Sequence, residues 1–343
     1  MRSPFVLIAL LALLAPAAAA PQARTELNST EAALRWIFAY RAKPAPQHVP
    51  AFMRALARIG ALRDPESSGT YVGFMAGVLN SNPDRTDELI AKMFPLPVEG
   101  QWAVVRAIAY SGLPEWKEVL RKAAPRMPTR ATMIEKYLAN RLPTLDQLVL
   151  PKDDPSFAER MKGYFTRSRL PKPNKLEPSP DVIDTLWGYY LATGEYRPIA
   201  RIVAMLAWTK ERDDAEKLTL GGMAKYTLAS NAARDPKLLA TLKWAVKQQN
   251  QQTAAVLAEV IEAAETLDTA KIRKEAVAAI EELKRKGPGT RRDISWWGQI
   301  GQGALSLGCI AAAAAGVVAV GLPCVIGGAV SSGALYYWNA QQQ

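Results

Sequence analysis

Side chains suited to acid, base or nucleophilic work are scarce in this chain. Its 343 residues include one histidine, His48, and two cysteines, Cys309 and Cys324. Any Ser-His-Asp or Cys-His arrangement would have to run through His48, which follows Pro44-Ala45-Pro46-Gln47 at the head of a helical pattern, where a loop or capping residue belongs. Adjacent acids at Asp153-Asp154, Asp213-Asp214 and Glu281-Glu282 imitate paired carboxylates, but neighbours on a helix point different ways. Asp213 to Glu216 sits where acids favour a helix N-terminus. Gly221-Gly222 interrupts a helical pattern and lacks the surrounding motif of a phosphate loop. The sequence therefore offers no metal cluster of the His/Cys type, no cofactor motif and no evident small-molecule substrate. It predicts a protein that is not an enzyme.

A denser set lies in the second half: Trp187, Tyr189, Tyr190, Tyr196, Trp208 and Trp244, with Arg197 and Arg201 among them. Aromatic residues at such spacing generally pack paired helices together. Aromatic and arginine side chains also dominate the hot spots of interfaces, so Trp187, Tyr190, Tyr196, Arg197 and Arg201 are the candidate binding residues.

The elements that must position these residues are helical. Asn28-Ser29-Thr30-Glu31 places a capping side chain three residues ahead of a carboxylate, just before Ala32, Ala33, Trp36, Ile37 and Tyr40. Prolines 44, 46 and 50 end that helix, and Phe52, Leu56, Ile59 and Leu62 repeat at helical spacing on the next. Further apolar sets follow at Tyr71 to Leu79, Leu89 to Met93, Trp102 to Ile108, Trp116 to Leu120 and Met133 to Leu138, with short connections that suit antiparallel helix pairs. Between Leu142 and Pro180 seven prolines (143, 151, 155, 171, 173, 178 and 180) mark a connection, and helices resume over Val182 to Thr193, Tyr196 to Trp208, Asp214 to Ala232, Pro236 to Gln249, Gln252 to Glu265 and Thr269 to Lys286. The expectation is an all-α, α-solenoid-like array of antiparallel helical hairpins in two parts, 24–150 and 181–287, joined by a Pro-rich connection, 151–180.

Within the second part, Leu186, Tyr190, Gly194 and Tyr196 sit at the spacing of a tetratricopeptide-type helix-turn-helix, and Ala192-Thr193-Gly194-Glu195-Tyr196 resembles that repeat's turn. The resemblance covers about residues 186–202. It departs from the pattern at Trp187, where the repeat has glycine, and at Ile199, where it has a small residue. At the repeat period, Ala224 and Leu228 replace Tyr190 and Gly194. The resemblance implies a helical hairpin and nothing further.

The two ends of the chain carry a different message. Met1-Arg2, the apolar run Phe5 to Leu14, Pro16 and the small residues Ala17 to Ala20 follow the order of a secretory signal, 1–20, which predicts export. Removing Arg2 with it lowers the formal charge from +11 to +10, spread along the chain. That excess favours anionic lipid, cell-envelope polymer or an acidic partner over nucleic acid for an exported protein. Near the other end, residues 288–296 form a basic linker: Lys284, Arg285, Lys286, Arg291 and Arg292 flank Gly287-Pro288-Gly289, and their charges suit lipid head groups.

From Ile294 to Gln343 no residue is charged. The Gly/Ala-rich stretch 297–338 is bracketed by Trp296-Trp297 and by Tyr336-Tyr337-Trp338, the aromatic placement of a water-lipid boundary. It reads as a membrane segment of one or two helices, two fitting better: Trp297 to Val320 would reach roughly 36 Å and Leu322 to Trp338 roughly 25 Å, with Gly321-Leu322-Pro323 between them. Glycines 298, 301, 308, 316, 327, 328 and 333 leave surfaces on which helices approach closely in lipid. Cys309 and Cys324 flank Gly316-Val317, so a turn there would let a disulfide staple the hairpin, while a turn at Gly321 would hold the sulfurs apart. Export conflicts with the preference for basic residues on the cytoplasmic side, because it places Lys284 to Arg292 outside. The functional expectation is a non-catalytic, exported, membrane-anchored scaffold of the cell envelope with a protein partner; the alternative is a membrane-active or translocation-associated protein whose tail inserts or oligomerises in a bilayer.

Overall fold

Helix α1 (Thr30–Tyr40) begins where the Ser29 side chain accepts a hydrogen bond from the Ala32 backbone N–H, so Ser29, one residue beyond Asn28, is the cap. The computed structural model describes residues 28–151, 174–211, 214–266 and 272. α1 is followed by α2 (Val49–Arg58), α3 (Gly69–Asn80), α4 (Thr86–Met93), α5 (Val98–Tyr110), α6 (Trp116–Ala123) and α7 (Ala131–Leu138). The second part contains α8 (Pro180–Thr193), α9 (Tyr196–Ala204), a 3-10 segment over Met205–Lys210, α10 (Ala215–Ala232), α11 (Pro236–Val246) and α12 (Gln251–Glu265). The described residues are all-helical apart from one isolated bridge between Leu148 and Leu176, which clasps the two ends of the Pro-rich connection.

Most helices show one buried and one wet face, as their apolar periodicity dictates. Two do not. In α3 every residue from Gly69 to Leu79 is buried, and in α8 every residue from Val182 to Ala192. A helix buried all round needs neighbours on every side. α3 and α8 supply the closest of these to each other, in the most extensive helix-helix contact among the described residues.

The contact depends on glycine. Gly69, Gly73 and Gly77 recur every fourth residue and so share one face of α3. Gly69 lies against Asp181 and Asp184, Gly73 against Thr185, and Gly77 against Tyr189 and Ala192, so the two helices run in the same direction. A Cβ added to Gly73 would lie 1.9 Å from the Thr185 carbonyl oxygen, and one added to Gly188 would lie 2.0 Å from that of Thr70. Backbone meets backbone, and no side chain fits between.

Other helices wrap this pair. Trp36 of α1 stacks on Phe52 of α2 with centroids 4.4 Å apart, and Phe74 of α3 meets Tyr40 edge-on at 4.9 Å. One contiguous apolar core includes Phe52, Phe74 and Ile108 from the first part and Trp187, Leu206 and Leu257 from the second. A linear array in which each hairpin touches only its sequence neighbours does not produce a parallel pair drawn from opposite parts. α8 and α9 do form a helix-turn-helix, closed by Gly194 at φ 72° with its N–H bonded to the Tyr190 carbonyl.

Gly221 does not interrupt its helix. α10 runs unbroken from Ala215 to Ala232, and a Cβ at Gly221 would come 2.5 Å from the Thr209 backbone nitrogen, so this glycine serves a second close approach, to the 3-10 segment. No described helix is long and apolar enough to cross a membrane. The signal-like residues 1–20, the basic residues from Lys284 to Arg292, the linker 288–296, the stretch 297–338 and both cysteines lie outside the described residues, as do Asp153-Asp154, Asp213 and Glu281-Glu282.

Candidate functional site

The five residues singled out for binding occupy four places. Trp187 is 1% exposed at the centre of α8 and meets the Tyr190 ring edge-on at 5.9 Å. Tyr190 turns toward α1 and α11: its hydroxyl donates to Asp235 Oδ2 at 2.7 Å, and the Arg41 guanidinium lies 4.7 Å from its ring centroid while also bonding Asp235. Tyr196, beyond the Gly194 turn, packs edge-on against Trp244 at 5.8 Å. Arg197 and Arg201 share a polar partner: four residues apart on α9, both are directed at Asp146.

The 3-10 turn Leu145–Gln147 positions Asp146, and the Gln147 side chain accepts from the Thr144 N–H at 2.8 Å to hold that turn. Arg201 donates to the Leu145 carbonyl at 2.8 Å and to Asp146 Oδ1 at 3.0 Å, whereas Arg197 approaches the same oxygen at 3.6 Å. Arg197 is the looser of the two and its side chain is 54% exposed. An open cleft of about 270 Å³, counted out to solvent, is lined by these groups with Tyr110, Tyr189 and Gly112. Tyr189 donates to the Ser111 carbonyl at 2.9 Å, and burial, reinforced by Glu195, pushes its phenol up to about 12, so it remains a neutral donor. The space within the cleft that a water-sized molecule could occupy is only about 10 Å³, far below the ~300–1,000 Å³ of typical small-molecule pockets. Within the lining the chemistry available is charge and hydrogen bonding: an exposed guanidinium, a carboxylate and phenols.

A second polar constellation lies where α5 meets the start of α8. Arg106 lies over the Trp102 ring, 4.8 Å from its centroid, and donates to Asp181 Oδ2 at 3.3 Å. Burial of Asp181 pushes its carboxyl up to about 6; Arg106 pulls the other way, and Glu66 and Asp64 add to the rise. A carboxyl that holds its proton more tightly folded than unfolded, where it sits near 3.8, contributes stability that is present at low pH and lost as pH rises through 6. Lowering pH from 7 to 5 should therefore raise the denaturation midpoint, with about 1 kcal/mol from this group. Asp181→Asn should flatten the slope between pH 5 and 7, and an unchanged slope in urea titrations would contradict the assignment.

His48 is exposed at the end of a 3-10 turn and makes no side-chain capping bond to α2. Asp214 caps α10, accepting from the Lys217 N–H at 2.9 Å. No group of three or more His, Cys, Asp or Glu side chains suited to a metal ion occurs among the described residues. Sequence reasoning passed over Asp146, Arg106 and Asp181, whose side-chain partners are distant in the chain, and over Asp235, which caps α11 locally but also binds the distant Arg41 and Tyr190. The glycines of α3 did carry one, the repeated four-residue spacing of Gly69, Gly73 and Gly77. In comparisons with protein-family models, curated proteins and solved structures, nothing matches the chain.

Proposed function

We propose that the chain is a non-catalytic scaffold of the cell envelope: a helical body, exported by its N-terminal segment, held at a membrane by residues 297–338 and presenting a surface to a protein partner. The observation that carries this reading is the fifty-residue uncharged stretch from Ile294 to Gln343, bracketed by aromatic residues and preceded by Lys284, Arg285, Lys286, Arg291 and Arg292. In this proposal the stretch forms a transmembrane helical hairpin, and the basic residues contact lipid head groups from the outer side. The solenoid-like stacking is retained only within each part, as in the α8/α9 hairpin.

The geometry of the body supports such a role. A backbone-to-backbone α3/α8 contact makes a stiff platform, and Arg197, exposed beside a shallow cleft, suits an acidic group on a partner's surface better than an enclosed substrate. A second reading, in which the tail oligomerises in the bilayer, is favoured by its glycines at 298, 301, 308, 316, 327, 328 and 333. Alkaline carbonate extraction of membranes from cells expressing the full chain, or a version ending at Asp293, tests the anchoring that both readings share. The full chain should stay in the pellet and the shortened one should be released. Release of both would mean that the tail does not anchor the protein.

A further inference from the structure

Trp244 is 57% exposed, more than any other large apolar side chain among the described residues. It stands on α11, whose inner face buries Leu238, Leu242 and Ala245. The outer face is a stripe at helical spacing, Lys237, Ala240, Trp244 and Lys247, all exposed, with Lys243 beside it and no acidic residue anywhere in the helix. Tyr196 closes one edge of the indole from α9, its ring inclined at 83° with centroids 5.8 Å apart. The indole is thus braced by a phenol and flanked by ammonium groups, but left open toward solvent.

Three observations select what meets it. The stripe is basic, which complements an anionic surface. Tryptophan and tyrosine at its centre have the half-apolar, half-polar character that suits the boundary between lipid and water. Lys243 is ion-paired with Glu265, the last residue of α12, so the described chain reaches the end of its final helix beside Trp244, and the uncharged segment begins at Ile294, twenty-nine positions further on. A basic-aromatic face joined to a membrane segment by a short length of chain is held within reach of that membrane at high effective concentration.

We propose that the α11 face centred on Trp244, with Lys237, Lys247 and Tyr196, docks on an anionic bilayer surface and fixes how the helical body lies on it. The proposal rests on the reading of residues 297–338 as the membrane segment, and the test separates the two. Full-length protein would be reconstituted into vesicles of phosphatidylcholine, with or without phosphatidylglycerol, containing chain-brominated lipid that quenches tryptophan at the bilayer. In anionic vesicles the wild type should show an extra quenched fraction of about one tryptophan in nine relative to Trp244→Phe. The difference should vanish in phosphatidylcholine alone, at high salt, and in Lys237→Glu/Lys247→Glu. Equal quenching of wild type and Trp244→Phe in anionic vesicles, while Trp296, Trp297 and Trp338 remain quenched, overturns the docking face and leaves the anchor standing. No quenching in any variant would overturn both.

Discussion

Replacing Gly73 by alanine is expected to unfold the protein or bring it close to unfolding. The added Cβ would fall 1.9 Å from the Thr185 carbonyl oxygen and 2.7 Å from its carbon, both backbone atoms of a helix buried on every side. No rotamer change relieves such a contact; α3 and α8 must move apart, and each is held by the wrapping helices. Overpacking of an ordinary core costs about 1–3 kcal/mol, and here the whole axis must shift, so a loss of about 3 kcal/mol or more is expected against a total stability of roughly 5–15 kcal/mol. Gly188→Ala, facing the Thr70 carbonyl at 2.0 Å, should behave alike. Gly100→Ala is the comparison: the nearest atoms to its Cβ are side-chain atoms, of Ala57 and Leu62 at 3.3 Å and of Leu96 at 3.7 Å, and alanine favours the helix, so stability should stay within about 1 kcal/mol of wild type. Urea midpoints with unchanged slopes read these differences directly. A Gly73→Ala protein with the wild-type midpoint would contradict the parallel α3/α8 contact.

Asp235→Ala should have the next largest effect, because one carboxylate serves three elements. It accepts from the Lys237 and Leu238 backbone N–H groups at 3.1 and 3.2 Å, capping α11, while also binding Arg41 at the end of α1 and the Tyr190 hydroxyl of α8. Burial alone would raise this carboxyl, but hydrogen bonds from Arg41 and Tyr190 outweigh it and hold it below the ordinary value. Its contribution is therefore complete at neutral pH and lost in acid, as pH falls through the lowered folded value, the opposite sense to Asp181. Losing a cap costs about 1 kcal/mol and stranding the half-buried Arg41 and Tyr190 about 1–3 more, so a total of about 2–4 kcal/mol is expected. Asparagine caps a helix as well as aspartate does, so Asp235→Asn should recover roughly the capping share. Equal losses for both substitutions, measured by urea denaturation at neutral pH, would show that the charge contact with Arg41 dominates.

Much of the helical content was legible because it is local. Ala32, Ala33, Ile37 and Tyr40 are the buried face that their spacing announced, and Gly194 adopts the left-handed conformation of the turn read between Tyr190 and Tyr196. The cap fell one residue late, since Asn28 has Glu31 three residues on while Ser29 makes the bond. What escaped was long-range. α3 looked like one more apolar helix, yet its apolar side chains extend all round, which signals a central helix, and its glycines signal a partner backbone. The aromatic residues around Tyr190 were read as a group because they are close in sequence. The Gly194 turn sends Tyr196 to Trp244, while Trp187 and Tyr190, edge-on to each other on α8, meet the core and Asp235. Arg41 and Asp235, 194 positions apart, bear no mark of each other in the sequence.

The claim on which the functional account turns is that residues 294–343 carry the body at a membrane independently of surface charge. Flotation of the purified full chain with phosphatidylcholine vesicles at high salt isolates that claim, since these conditions suppress adsorption through α11 and through Lys284 to Arg292. The account predicts that the full chain rises with the vesicles while a version ending at Asp293 stays at the bottom of the gradient. A full chain that remains at the bottom with the shortened one would contradict it.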